Sequence, residues 1–118
     1  MLQAFKAAFR GVGIAWLHER HLKVHTVAML SVCCVAAYVE VSRIEWAILL
    51  LCFGLVTSLE YANSALERLA NRITLERDPL IRDAKDMSAA AVLAASLFAA
   101  IIGIILLGPP LWARIMDL

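Results

Sequence analysis

The chain has 118 residues, 63% of them hydrophobic, with a mean hydropathy of +0.81 and a net charge of +1. That length holds one domain, and the apolar share exceeds the roughly one-half usual for soluble domains, so the membrane class comes first. The basic residues are interleaved with acids instead of forming a tail, which excludes nucleic acid as a partner. Cys33, Cys34 and Cys52 lie in apolar runs without metal or redox spacing and read as small packing residues.

Leu2, Phe5, Phe9, Val12 and Trp16 recur at steps of three and four, while Gln3, Lys6 and Arg10 fall off that stripe. This predicts an amphipathic helix over 2–18, with aromatic rings on one face and cations on the other, suited to the plane of a membrane interface. Lys6 and Arg10 also interrupt any signal-peptide core, so the segment is expected to stay and fold.

Three apolar segments follow that can supply the roughly 20 residues of a membrane span. The first, 24–41, is broken only by His25, Thr26, Ser31 and Glu40 near its ends. The second starts at Arg43, because Ser42 and Glu45 have the spacing of a capping box, and meets no breaker until about Thr74, giving a helix over 43–73. Its apolar run stops at Leu59, so a full span carries Glu60 and Asn63 to membrane depth. Asp78-Pro79, a cap residue with proline after it, begins a third helix that enters the membrane near Met87. Pro109-Pro110 is expected to end that helix, giving a range of 79–107 and leaving Trp112 at the interface. The expected fold is thus one all-α integral membrane domain over 1–118, an interfacial helix plus three transmembrane helices.

Lys6, Arg10, Arg20 and Lys23 precede the first span, and Arg68, Arg72, Arg77, Arg82 and Lys85 separate the second from the third. Only Arg43 and Arg114 fall on the other side, so the positive-inside rule puts the N-terminus and the long second loop in the cytoplasm.

At about 100° per residue, Glu60, Asn63, Glu67 and Asn71 share one narrow stripe, flanked by Ser64. A carboxylate near the bilayer centre costs about 2.5–3.5 kcal/mol, so such residues face a polar interior and mark function. The competing reading is an interhelical hydrogen-bond seam. Glu19, between the interfacial helix and the first span, and Lys85-Asp86, before the third, can complete a site at the same level. Carboxylates there can hold magnesium and the lysine can neutralise phosphate, although Glu19 alone reads equally well as a solvated charge. No Walker-type loop occurs, and Gly11-Val12-Gly13 is too short for one. The residues by themselves stop at a cytoplasm-facing acidic site, open between a kinase, a cation-handling channel and a transporter subunit.

The stretch Glu60-Tyr61-Ala62-Asn63-Ser64-Ala65-Leu66-Glu67 and the later block Ala84-Lys85-Asp86-Met87-Ser88-Ala89-Ala90-Ala91-Val92 resemble the signature of the prokaryotic diacylglycerol/undecaprenol kinase family. The resemblance extends to Gly11, Trp16, Glu19, Glu76, Pro79 and Leu80. It implies an ATP-dependent kinase that phosphorylates a lipid alcohol, undecaprenol or diacylglycerol, in the bacterial inner membrane, as a homotrimer with sites shared between subunits. On that likeness Glu60 would be the general base and Asn63 would position the reacting groups. Glu19 and Glu67 would hold Mg2+ on the ATP phosphates, Lys85 would contact those phosphates with Asp86 in support, and Glu76 would contact the adenine. The chain departs from the family's usual acid at Asn71, which adds no charge for metal or lysine. His18-Glu19-Arg20-His21-Leu22-Lys23-Val24-His25 resembles the undecaprenol kinase branch, which has asparagine at the place of His21 and points to a polyprenol acceptor. The three histidines otherwise read as interfacial side chains. The rivals are a non-enzymatic membrane bundle and a family member that binds nucleotide without turnover.

Overall fold

The computed structural model describes residues 1–118. The chain forms four helices, α1 (Leu2–His18), α2 (Arg20–Tyr38), α3 (Arg43–Ile73) and α4 (Pro79–Met116), and no strand. The last three are long and apolar enough to cross a membrane. At about 1.5 Å per residue, α3 is ~46 Å long and exceeds a ~30 Å hydrocarbon core, so part of it projects into water.

Local chemistry sets the helix starts. Both halves of the α3 capping box form: the Glu45 N–H donates to Ser42 Oγ at 3.2 Å, and the Ser42 N–H donates to Glu45 Oε1 at 3.4 Å. Ser42→Ala is therefore expected to destabilise the fold by about 1 kcal/mol, read as an earlier unfolding midpoint in a titration of denaturing detergent. At the start of α4, Asp78 Oδ1 accepts from the N–H groups of Leu80 and Ile81 at 2.9 and 3.2 Å.

Two expected boundaries need correction. The helix expected over 24–41 runs instead from Arg20 to Tyr38. The chain bends at one residue only, Glu19, in an extended conformation (φ −106°, ψ 106°), so the charged turn after it is already helical. At the other end Glu40 takes a left-handed φ of 57°. The N–H groups of Glu40 and Val41 then reach back to the carbonyls of Ala37 and Ala36, each at 3.2 Å. That pair of bonds is a Schellman ending, made here without the usual glycine.

The second correction concerns Pro109 and Pro110, which lie inside α4 and do not end it. Neither can donate to the carbonyl four residues earlier, but tertiary contacts hold the last turns in place. Leu111 packs on the core formed by Ala36, Val39, Leu49 and Leu107. Beyond it, Arg114 donates to Glu40 Oε2 at 2.7 Å and sits 5.5 Å from the centre of the Tyr38 ring.

That core lies at the end of the bundle opposite the α3–α4 turn, and it is small: 12 of 118 residues are buried. Large side chains such as Phe9, Leu51 and Phe98 face outward, as lipid-facing or subunit-facing surfaces require. Cys34 is also exposed, so it does not pack within the chain as the sequence suggested. The apolar packing closes one end and leaves the other, here called the polar end, open for chemistry.

Candidate active site

The acids divide into two groups by what holds them. Glu45 and Asp78 cap helices, Glu40 pairs with Arg114, and Asp83 pairs with Arg82. Glu19, Glu67, Glu76 and Asp86 at the polar end have no such tie, nor does Asp117 at the opposite end of α4. Glu19 shows the distinction well, since it stands at the N-cap of α2 yet its side chain caps nothing.

Glu60 is the most buried acid, 5% exposed, and needs a polar neighbour at that depth. It has one: His25 Nε2, from α2, lies 2.9 Å from Glu60 Oε1. One turn further along α3, Asn63 Oδ1 is buried and has no hydrogen-bond partner. Ser64 beside it is buried as well, and Glu67 is half-buried. From Glu60 to Glu67 the stripe thus turns inward, while Asn71 beyond it is exposed.

At the outer end of the stripe, Lys85 Nζ donates to Asn71 Oδ1 at 3.0 Å, tying α4 to α3. Both residues line an open cavity of about 570 Å³ at the α3–α4 turn, together with Glu76, Asp86, Arg77 and Arg82. The structure therefore brings Lys85, Asp86 and Glu76 together. Glu19, Glu60, Asn63 and Glu67 lie outside that cavity. No three His, Cys, Asp or Glu side chains gather into one metal-binding cluster within the chain.

A second cavity of about 550 Å³ is an apolar groove among α2, α3 and α4, walled by Val32, Phe53, Val56, Ala99 and Ile104. His25 is its one basic side chain, and Ser96, whose buried Oγ has no partner, also lines it. The apolar groove and the buried carboxylate are thus linked through His25, while the charged cavity lies apart at the α3–α4 turn.

Residues 6–107 match the prokaryotic diacylglycerol kinase family. The chain belongs to that family. It is 36% identical over 109 residues to the undecaprenol kinase of Bacillus subtilis, covering 92% of this chain and 89% of the relative. It is 35% identical over 107 residues to the diacylglycerol kinase of Escherichia coli K12, with 91% and 88% covered. With the diacylglycerol kinase of Pseudomonas aeruginosa PAO1 it shares 39% over 90 residues, with 76% and 68% covered. Three membrane-crossing helices and this family membership make it an integral membrane lipid kinase of bacterial type.

In this diacylglycerol kinase family member, sequence reasoning missed three side chains that lie against the predicted ones. His25 read as an interfacial ring, because its contact with Glu60 joins residues far apart in the chain. Arg77 and Arg82 counted only toward orientation, although both border the cavity that holds Lys85.

Proposed function

We propose that this lipid kinase moves the γ-phosphate of ATP onto the hydroxyl of undecaprenol or diacylglycerol at the cytoplasmic face of the inner membrane. The observation that carries this reading is the position of Glu60: a buried carboxylate on the helix that also leads, by way of Asn63 and Glu67, to the Lys85 cavity. At about 1.5 Å per residue, Glu60 and Asn71 are ~16 Å apart along α3. A base at lipid depth and a lysine further out suit an acceptor held in the membrane and a nucleotide held in water.

In the reaction, Glu60 takes the proton from the acceptor hydroxyl as its oxygen bonds to the γ-phosphorus, while the bond to the β–γ bridging oxygen breaks and ADP leaves. Asn63, with its unpartnered Oδ1, positions the reacting groups. Lys85 meets the phosphates, Asp86 supports it, and Glu76, on the same cavity wall, contacts the adenine. Glu19 and Glu67 fit magnesium, which binds to one or two carboxylates together with substrate phosphates and keeps several waters. Bound there, the ion would neutralise charge on the β- and γ-phosphate oxygens. A purely structural seam gives no reason for the same stripe to end at the cavity that holds Lys85.

The outward apolar surface supports the further reading of a homotrimer with shared sites, as three spans alone offer few partners for buried polar groups. Nine of the 11 basic residues belong to the polar end, which supports a cytoplasmic N-terminus. The likeness of the His18–His25 segment to the undecaprenol kinase branch favours a polyprenol acceptor. Offering both lipids at equal mole fraction tests this: a higher kcat/KM for undecaprenol supports it, and a higher value for diacylglycerol reverses the assignment.

Asn71 enters through Lys85. Losing the Asn71–Lys85 bond, worth about 0.5–1.5 kcal/mol, is expected to raise the KM for ATP by about two- to tenfold in Asn71→Leu. Asn71→Asp keeps an acceptor for the ammonium and should stay near the parent value. Equal KM values in all three proteins would remove Asn71 from nucleotide binding.

A further inference from the structure

Glu60 and the apolar groove have one side chain in common. His25 lines the groove on one side and stands 2.9 Å from Glu60 Oε1 on the other, while Glu60 itself does not border the groove. The pair is unequal in exposure: the Glu60 side chain is 7% exposed and that of His25 is 32% exposed. His25 is held on α2 just after the buried Leu22, whose carbonyl accepts from Thr26 Oγ1 at 2.8 Å, so the ring leaves a fixed turn of helix.

A carboxylate acts as a base through one oxygen, and its rate depends on where that oxygen points. Errors of about 1 Å in such placement can cost 10²-fold. Glu60 has three side-chain torsions and few polar neighbours at its depth. We propose that His25 is a positioning residue of the kinase: its ring braces Glu60 Oε1 and leaves Oε2 aimed at the acceptor hydroxyl, whose hydrocarbon chain occupies the groove that His25 borders. This rests on Glu60 being the base. It assigns His25 no contact with the reacting phosphate.

A histidine that merely satisfied a buried acid would affect stability and leave turnover in the folded protein intact. A positioning role makes kcat depend on a nitrogen at the place of Nε2. Glutamine can put its amide nitrogen close to that place, whereas asparagine is too short and phenylalanine has no donor.

The test is to purify His25→Gln, His25→Asn and His25→Phe with Glu60→Gln in detergent and measure kcat and the KM for ATP with undecaprenol and diacylglycerol in mixed micelles. The expected result is a kcat at least about tenfold lower for the Asn and Phe variants, a KM for ATP unchanged, and most of the rate kept by His25→Gln. Combining His25→Asn with Glu60→Gln should lower the rate no further than Glu60→Gln alone. If His25→Phe does not fold, the Gln and Asn variants decide. Equal rates in those two variants would overturn the proposal. If Glu60→Gln itself retains the parent rate, the assignment of the base fails first; if Glu60→Gln is inactive and every histidine variant is active, the role of His25 alone fails.

Discussion

Glu60→Gln is expected to lower kcat by about 10²–10⁴-fold, the usual contribution of a general base, while the KM for ATP and the assembly stay as they are. The substitution changes basicity and little else. Glutamine has nearly the shape of glutamate, and its amide can still meet His25 across the α2–α3 interface. Glu60 is 5% exposed, so removing its charge also removes a desolvation penalty, and the folded state should be no less stable than the parent. Acid and seam roles therefore separate in one variant. Turnover within a few-fold of the parent would exclude Glu60 as the base. Loss of assembly would return the stripe to a structural seam.

Lys85→Met is expected to lower kcat/KM for ATP by about 10²–10³-fold, the scale seen when one preorganised charge-stabilising donor is removed. Methionine keeps the length and apolar stem of lysine but cannot meet a phosphate. The loss should fall on both kcat and KM, because the ammonium meets charge in bound ATP and in the transition state alike. Its neighbours make the effect specific: Asn71 holds the ammonium at 3.0 Å without cancelling its charge, and Arg77 and Arg82 line the same cavity. Direct nucleotide binding in detergent checks the assignment. Unchanged ATP affinity together with an unchanged rate would place the nucleotide elsewhere.

Features with a local period or a local cap were the ones legible in the sequence. Ser42 and Glu45 announced the start of α3, and Asp78-Pro79 announced α4, since capping is decided within four residues. The Glu60, Asn63, Glu67 and Asn71 stripe was legible because helical geometry alone puts those residues on one face. The rest depended on contacts between distant segments. The C-cap of α2 uses Glu40 at a left-handed φ instead of glycine, and the residue that pairs with Glu40 is Arg114. That same pair, with Leu111 on the core, carries α4 through the two prolines that were expected to stop it. The contact of His25 with Glu60 likewise has no signature at either position. It appears only when α2 lies beside α3.

The most direct test is transfer of labelled γ-phosphate from ATP to lipid in mixed micelles, with undecaprenol and diacylglycerol offered in parallel, with and without magnesium, and with Glu60→Gln as control. Magnesium-dependent labelling of at least one of the two lipids by the parent protein is expected, with its loss in the variant. No labelling of either lipid by a folded, assembled preparation would contradict it and leave a protein that binds nucleotide without turnover or has no enzymatic role.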